Sequence, residues 1–353
     1  MKDDFFHLSV FDGISDLDGN KPRVHMYISN RGAGKTTEMV YQTCRLAEQN
    51  NTSVFLYRVR NEISALHMLF SDVIRLYPDL HIVECKTRFA VKEILTECYA
   101  VYDDGTEKTL CYGFPINDVD KLKKYSPIFY NVKLIFFDEM ILERGTYLKN
   151  ELTLLSSAIT TIARGGGKQS REIDFYMFGN RVTLLNPYFI AYGIHKRLRN
   201  NTKVLRGHGW IAMFDLNQSA KKAMQDNKLL QGLPDNEYTA AMSDNFYLFN
   251  ADAFVEKMSG NSRYIMTVSD GNKLFGIREY YKDGIVYVDS KPDKTFPHII
   301  TYNNKNHNAN TIMLSRRTMF MAFLQESYDM GLMRFEDLNA KNMILDLLSV
   351  RLL

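Results

Sequence analysis

The stretch that decides the fold is Ser29-Asn30-Arg31-Gly32-Ala33-Gly34-Lys35-Thr36-Thr37, which has the form of a phosphate-binding loop with serine in place of the first glycine. Residues 24–28 before it are typical of a buried strand, and residues 37–47 have the apolar spacing of a helix. The backbone N–H groups of such a loop surround a phosphate, and the helix dipole favours its charge. The loop therefore predicts nucleotide binding, with Lys35 at the β- and γ-phosphates and Thr36 at Mg²⁺.

An apolar run that ends in two carboxylates supplies the second half of a nucleotide-hydrolysis site. Residues 133–137 are followed directly by Asp138 and Glu139. A run this apolar is typical of a central parallel strand covered on both faces, and ligands bind at the carboxyl ends of such strands. We therefore expect Asp138 to contact Mg²⁺ and Glu139 to polarise the attacking water as a general base.

The composition indicates an ordinary globular protein with more than one core. The 353 residues are 45% hydrophobic and 24% charged, and this length favours two domains. A net charge of +3 leaves any contact with nucleic acid to local patches. No apolar run approaches membrane-spanning length, and the N-terminal residues do not form a signal peptide, so we expect no membrane partner. The cysteines lack metal-ligand or paired spacing, which favours reduced thiols at Cys44, Cys85, Cys98 and Cys111.

The first part of the chain alternates strand and helix patterns. Over residues 1–207 this alternation predicts an α/β domain with a parallel sheet. A hairpin inserted in the sheet is expected at residues 98–114, on either side of an Asp-Asp-Gly turn. Helical spacing predicts helices over 62–76 and from about 147 to 163.

The pattern changes in the second part of the chain. Residues 208–244 are polar and are predicted to form a helical linker. Residues 245–353 begin with three strand patterns and continue with helical patterns near 311–330 and 336–351. Consecutive strands followed by helices predict a separate α+β domain.

Taken in order, these motifs resemble the DNA-packaging ATPases of small podophages with protein-primed linear genomes. The resemblance extends over nearly the whole chain, and its one departure is Ser29, where many members have glycine. The matching features are Arg31 to Thr36, the strand that ends at Asp138-Glu139, Thr161 to Arg164, Gly179-Asn180, Asn186-Pro187-Tyr188-Phe189, Val255-Glu256-Lys257 and Ile285 to Asp289.

The resemblance implies a P-loop ATPase domain of the ASCE class and a C-terminal domain like a degenerate, RNase H-like nuclease. It also implies a homopentameric ring at the portal vertex of a prohead in the host cytoplasm, where ATP hydrolysis pulls double-stranded DNA inward. Contacts with the portal, or connector, and with a prohead RNA are further expectations that follow from the resemblance alone.

Three residues have roles that rest mainly on this resemblance. Arg164 matches the family's trans-acting arginine, although an arginine at a helix C-terminus can instead satisfy carbonyl groups. Lys124 resembles a second trans-acting cation, with an ordinary solvated lysine run as the alternative. Asn180 follows a strand and fits a coupling residue that senses the γ-phosphate, or else a simple turn residue.

Other cations leave their roles open. Arg58 and Arg60 end the second strand at the edge of the phosphate loop, where nucleotide binding, a role between subunits and surface salt bridges are all open. Residues 196–206 hold five cations and no acid, which fits either phosphate contacts or a solvated face.

The sequence leaves two rival functions open. The first is a large-terminase-type protein with a working two-metal nuclease, for which Asp270, Asp289 and Asp346 are candidate ligands. Two of these aspartates sit in turn-like sequence, so we favour a domain that has lost catalysis. The second rival is a nucleotide-gated DNA-binding scaffold with little turnover, and Glu139 disfavours it because binding alone does not need that acid.

Overall fold

The chain folds into two compact units, each formed by two separate segments of the sequence. The computed structural model describes residues 5–63, 66–142, 147–164, 169–180, 183–199, 201–231, 254–296, 299–314 and 318–349. The first unit comprises Met1–Arg181 and Lys203–Asp244, and the second comprises Val182–Thr202 and Asn245–Leu353. Each unit has its own core of buried apolar side chains.

The first unit is built on a nine-stranded sheet in the order β3-β4-β5-β2-β6-β7-β1-β9-β8. The six strands from β5 to β9 in this order are parallel, whereas β3, β4 and β8 are antiparallel to their neighbours. This confirms the predicted parallel α/β sheet. The strands are β1 (Val24–Ser29), β2 (Thr52–Tyr57), β3 (Ile82–Val91), β4 (Leu95–Tyr102), β5 (Glu107–Pro115), β6 (Val132–Phe137), β7 (Asp174–Asn180), β8 (Val204–Gly207) and β9 (Trp210–Phe214).

Both faces of the central strands are covered, which explains their unbroken apolar sequence. Successive side chains of β6 point to opposite faces, yet Ile135, Phe136 and Phe137 are all buried. Helices α1 and α2 pack together, as do α3 and α4. The helices of this unit are α1 (Lys35–Glu48), α2 (Met68–Leu76), α3 (Val119–Leu122), α4 (Glu151–Ala163), α6 (Gln218–Gln225) and α7 (Lys228–Gln231), with 3-10 turns at Leu8–Phe11, Arg60–Ile63, Pro78–Leu80, Ile116–Asp118 and Lys123–Phe129.

The structure differs from the sequence predictions at several element boundaries. The predicted hairpin gains a third strand, β3, which lies at the sheet edge with exposed Val83 and Phe89 and therefore has no buried apolar pattern to detect. Helix α2 begins at Met68 after a 3-10 turn. Helix α4 begins at Glu151 because Asn150 has a left-handed backbone, with φ of 58°.

The second unit is a six-stranded sheet with helices, which agrees with the predicted α+β domain. Its strand order is β14-β13-β10-β11-β12-β15, in which β10, β11 and β12 form an antiparallel meander and β13, β14 and β15 add in parallel. The strands are β10 (Arg263–Ser269), β11 (Leu274–Tyr280), β12 (Ile285–Asp289), β13 (Ile299–Thr301), β14 (Thr311–Met313) and β15 (Met333–Phe335), and the helices are α5 (Pro187–Ala191), α8 (Met319–Asp329) and α9 (Leu338–Ser349), with a 3-10 turn at Asn304–Asn306.

Residues 311–313 were predicted to begin a helix, but they form strand β14 instead. They add beside β13 as a parallel strand, and the helix starts only at Met319, which Thr318 precedes as its N-cap. A β-branched Thr-Ile pair begins this short stretch, which is consistent with a strand.

The two units depart from the predicted domains in two places. Strand β9 lies beyond the predicted boundary at residue 207, yet it pairs with β1 in the sheet of the first unit. Residues 182–202 lie inside the predicted first domain but group with the second unit, and Leu185 belongs to its core. The predicted helical linker, residues 208–244, instead begins with strand β9, and α6 and α7 follow it at Gln218–Gln225 and Lys228–Gln231. Residues 232–244 lie outside the described part of the chain.

Candidate nucleotide site

Strand β1 carries the phosphate loop to the carboxyl edge of the central sheet. It lies between β7 and β9, and its last residue, Ser29, is level with Asn180 of β7. Strand β6, which ends just before Asp138, lies on the other side of β7. Parallel strands end at the same edge, so the loop, Asn180 and the two carboxylates converge there, at the place where such sheets bind ligands.

The loop turns through two glycines with left-handed backbones before α1 begins at Lys35. Gly32 has φ of 75° and Gly34 has φ of 86°, a region that side-chain-bearing residues rarely adopt. A Cβ added at Gly34 would lie 2.8 Å from the ring of Phe5, so glycine is needed there for space as well. The N-terminal segment also covers the loop, because the N–H of Phe6 donates to the carbonyl of Ala33 at 2.8 Å.

Lys35 lies buried at the centre of the site. Its Nζ donates to Ser29 Oγ at 2.9 Å, to Asn30 O at 3.0 Å and to Asn180 Oδ1 at 3.0 Å. The serine that replaces the first glycine therefore contributes a hydroxyl that holds this lysine. The structure also brings Asn180 to the lysine that the loop pattern places at the phosphates, which a turn residue at a strand end would not require.

Thr36 and Asp138 meet across the site. Thr36 Oγ1 donates to Asp138 Oδ2 at 3.0 Å, so a hydroxyl and a half-buried carboxylate present oxygen atoms to one place. Hard oxygen ligands of this kind, few in number, are what Mg²⁺ takes from nucleotide-binding proteins. The residues present thus fit the metal predicted from the sequence.

Glu139 follows Asp138 with an unusual backbone and an exposed side chain. Its φ is 53°, in the left-handed region, and its N–H donates to Asp138 Oδ1 at 2.9 Å. The next N–H, of Met140, donates to the carbonyl of Phe178 at 2.8 Å, which ties this turn to β7. Glu139 therefore leaves the strand at a sharp, fixed turn beside Asp138.

Arg58 and Arg60 were given the same possible roles from the sequence, but they differ in burial and in their ion-pair partners. Arg58 is buried and forms an ion pair with buried Glu151 at 3.1 Å, so the surface salt-bridge interpretation is wrong for it. Arg60 is exposed and pairs with Asp118 at 3.2 Å, as that interpretation predicts. No spacing in the sequence indicates the Arg58–Glu151 pair, because its members are 93 positions apart.

Two arginines, Arg164 and Arg171, lie at the end of helix α4 in different settings. Arg171 satisfies the end of the helix: its backbone N–H donates to Ala163 O at 2.9 Å and its Nη2 to Ile162 O at 2.8 Å. Arg164, the last residue before 165–168 in the chain, is exposed. The contacts with these two carbonyl groups thus come from Arg171, and both roles considered for Arg164 stay predictions.

Lys124 is exposed in the 3-10 turn that follows α3. Its neighbours Lys121 and Lys123 pair with Asp118 at 2.8 Å and Asp120 at 2.6 Å. Within the described ranges of the chain, Lys124 has no carboxylate partner of this kind, and its Nζ lies 5.2 Å from the ring centre of Tyr125. This setting leaves its ammonium group accessible.

A contact that sequence reasoning missed joins the phosphate loop to α6. The side chain of Asn30 donates to Asn217 O at 3.1 Å and accepts from Asn217 N at 2.9 Å. The side chain of Asn217 in turn accepts from Ala220 N at 2.8 Å, which caps the helix. Two asparagines 187 positions apart thus fix the loop to the start of α6, and no local pattern in the sequence indicates such a pair.

The three aspartates proposed as nuclease ligands do not share a site. Asp270 Oδ1 accepts from Asn272 N and Lys273 N within a turn, each at 2.7 Å. Asp289 Oδ2 accepts from Arg278 at 2.8 Å. Across the described ranges, no three His, Cys, Asp or Glu side chains group as metal ligands.

The third of these aspartates, Asp346, is bound to the start of the basic patch. It pairs with Lys196 at 2.6 Å and lies 3.6 Å from His195 Nε2. Burial opposes ionisation of Asp346, but the proximity of His195 and the hydrogen bond from Lys196 outweigh it, and the pKa of Asp346 lies below the usual range. Part of the positive charge of residues 196–206 is therefore neutralised within the second unit.

The segment Asn186-Pro187-Tyr188-Phe189 forms the start of helix α5. Asn186 is fully buried, and its Oδ1 accepts from Phe189 N at 2.8 Å as an N-cap, while Pro187 occupies the first helical position. This part of the motif is thus explained by helix initiation.

Among the described residues, no helix is both long enough and apolar enough to cross a membrane.

Comparison with known proteins places these features in one family. The family described as podovirus DNA encapsidation protein (Gp16) matches residues 9–352. The DNA packaging proteins of Bacillus phage PZA and Bacillus phage phi29 are 23% and 22% identical to this chain over 331 residues, which cover 92% of it and 92% of each relative.

Solved structures agree with this match over nearly the whole chain. A chain of the bacteriophage Phi-29 viral genome packaging motor assembly has a TM-score of 0.54 at 21% identity, covering 98% of this chain and 99% of that one. A chain of the Phi-28 gp11 DNA packaging motor has a TM-score of 0.55 at 18% identity, with 98% of both chains covered. These likenesses show a shared fold.

Proposed function

Because the chain belongs to the podovirus DNA encapsidation protein (Gp16) family, and is thus a viral DNA packaging protein, we propose that it is the ATPase of the packaging motor. In this proposal, ATP hydrolysis drives double-stranded DNA into a preformed prohead. The observation that carries the proposal is the convergence of Lys35, the Thr36–Asp138 pair and Glu139 at the carboxyl edge of one parallel sheet.

Each residue at this edge has a distinct task in ATP hydrolysis. The loop N–H groups and Lys35 would hold the phosphates, and Thr36 and Asp138 would hold Mg²⁺. When bound, Mg²⁺ neutralises charge on the phosphate oxygens. Glu139 orients the attacking water and accepts its proton. Ser29 and Asn180 position Lys35, since both contact its Nζ in the structure.

The proposed motor is a ring of subunits, and the exposure of two cations is compatible with it. Arg164 and Lys124 are exposed and therefore accessible to a neighbouring subunit in the ring, which we propose to be a pentamer. A cation supplied in this way stabilises charge on the transferring phosphate and raises the rate by orders of magnitude. The ring acts in the host cytoplasm at the portal vertex, in contact with the portal and with a prohead RNA.

Asn180 is proposed as the coupling residue. It contacts Lys35 at the end of β7, and the chain continues from there into Val182–Thr202, which groups with the second unit. A change in the contacts of Lys35 on hydrolysis thus acts at the residue from which that segment departs.

One experiment tests the proposed activity. Phosphate release from ATP is measured with the purified chain, with and without double-stranded DNA, and compared with Glu139→Gln. We expect the parent to hydrolyse ATP and the variant to bind ATP but turn over ~10²–10⁴-fold more slowly. A parent that binds ATP without turnover in either condition would instead support the nucleotide-gated scaffold, and equal rates would refute the role of Glu139.

A further inference from the structure

Arg58 lies directly behind the backbone of the predicted general base. It follows the end of β2, and its guanidinium is buried, with 7% of the side chain exposed. Its Nη1 donates to Glu139 O at 2.6 Å and its Nη2 to Met140 O at 3.0 Å. One side chain therefore holds the carbonyl groups of two successive residues, the first of which is Glu139.

The other edge of the same guanidinium binds Glu151. Arg58 Nε donates to both carboxylate oxygens of Glu151, at 3.1 and 3.2 Å, and only 1% of the Glu151 side chain is exposed. The rings of Phe137 and Tyr147 lie 5.0 and 5.4 Å from the guanidinium carbon. The buried charge is thus paired and hydrogen-bonded, as a buried cation requires.

The backbone of Glu139 needs such support. A left-handed backbone conformation is sparsely populated by residues that carry a side chain, and it persists only where surrounding contacts determine it. Here the N–H of Glu139 is held by Asp138 and its carbonyl by Arg58. Since the Cα–Cβ bond leaves the backbone in a fixed direction, this backbone conformation sets the region that the carboxylate of Glu139 can occupy.

Arg58 also reaches the helix that precedes Arg164. Glu151 is the first residue of α4, and α4 ends at Ala163, directly before Arg164. One guanidinium therefore joins the turn at Glu139 to the N-terminal end of the helix whose far end leads to the proposed trans-acting arginine.

We propose that Arg58 is a positioning residue for ATP hydrolysis, which holds the turn at Glu139 and ties it through Glu151 to helix α4. This inference rests on the proposed function, since it assigns Arg58 a role through Glu139. Lysine cannot substitute for it, because a single ammonium lacks the planar fork that reaches two carbonyls and a carboxylate together.

The test compares Arg58→Lys with the parent chain in ATP hydrolysis and in binding of a fluorescent ATP analogue. Lysine keeps a cation beside Glu151 but releases the turn, so we expect kcat to fall by up to ~10²-fold while analogue affinity stays within about twofold. The matched control is Arg88→Lys, which alters another arginine fork, bound to Glu97 at 2.8 and 3.2 Å and stacked on Tyr99, and should keep the parental kcat.

A double-mutant cycle with Glu139→Gln separates positioning from a general loss of structure. If Arg58 acts through Glu139, adding Arg58→Lys to Glu139→Gln should lower the residual rate by less than about threefold. A similar loss in both backgrounds would overturn the inference, as would a parental kcat in Arg58→Lys. Absence of hydrolysis by the parent would instead refute the proposed function.

A second variant covers the case in which Arg58→Lys does not fold. Arg58→Gln combined with Glu151→Gln removes both buried charges together and leaves neither unpaired. We expect this double variant to show the same selective fall in kcat and the same dependence on Glu139. Parental kcat in the folded double variant would overturn the inference.

Discussion

His25, on the strand that leads into the phosphate loop, should make the first unit sensitive to mild acid. The side chain is 2% exposed, stacks on Tyr176 with ring centres 4.5 Å apart, and meets the edge of Phe11. Burial lowers its pKa from 6.5 to about 4, and the charges of Lys21 and Arg23 act in the same direction, while Asp174 and a backbone hydrogen bond oppose them. His25 is therefore neutral in the folded chain at pH 7.

The sign and size of the effect follow from these two pKa values. A histidine whose pKa is lowered by folding stabilises the protein above pH 6.5, and this contribution is lost as the pH falls toward 4. At pH 5 the unfolded chain binds the proton and the folded chain largely does not, so the free energy of unfolding falls by about 2 kcal/mol. Below pH 4 the loss reaches roughly 3.4 kcal/mol.

The assay is urea unfolding followed by tryptophan fluorescence. Trp210 is the single tryptophan of the chain and lies on β9, which pairs with β1 opposite Val24, so its emission reports on the same sheet. The parent chain is compared with His25→Phe, which keeps an aromatic ring but cannot bind a proton. The control variant is His208→Gln, which replaces an exposed histidine. The difference in unfolding free energy between parent and His25→Phe should change by about 2 kcal/mol from pH 7 to pH 5. A difference that does not vary with pH would refute the reasoning.

Three further predictions concern the site and the second unit. Lys35→Ala should lose ATP hydrolysis and weaken ATP binding, because the cation at the β- and γ-phosphates is removed; equilibrium binding of labelled ATP checks this. Arg164→Ala should bind ATP but not hydrolyse it, and rings mixed with Glu139→Gln subunits should regain activity, whereas no recovery in verified mixed rings would count against action in trans. The full chain should leave plasmid DNA uncut in Mg²⁺ or Mn²⁺, and nicking that Asp270→Asn or Asp289→Asn abolishes would restore the nuclease interpretation.

The part of the site that sequence predicts well is local. A glycine loop between a strand and a helix, and an apolar run that ends at Asp138 and Glu139, place their residues at one sheet edge through the rules of parallel sheets. Asn180 also ends a strand, so the same rules place it at this edge, but its predicted role came mainly from the family resemblance.

The contacts that the sequence does not predict join residues far apart in the chain. Arg58 pairs with Glu151 across 93 positions, and Asn30 binds Asn217 across 187, so no period or motif links them. The contact of Arg171 with the end of α4 was likewise not predicted, because its side chain folds back onto Ile162, nine positions earlier. Edge strand β3 was missed because its exposed side chains have no buried face.

The segment Val182–Thr202, which groups with the second unit, affects the order in which the two units can complete their folding during synthesis. The ribosome makes Val182–Thr202 before strands β8 and β9, yet Leu185 belongs to a core whose other members begin at about residue 254. Helix α9, which supplies much of that core, ends at Ser349, 147 positions after Thr202. At ~5–20 residues per second, synthesis from Thr202 to Ser349 takes roughly 7–30 s. During this time Leu185 lacks the core residues that bury it in the folded chain. Meanwhile β9 can pair with β1, so the sheet of the first unit can be completed while the second unit is still being translated.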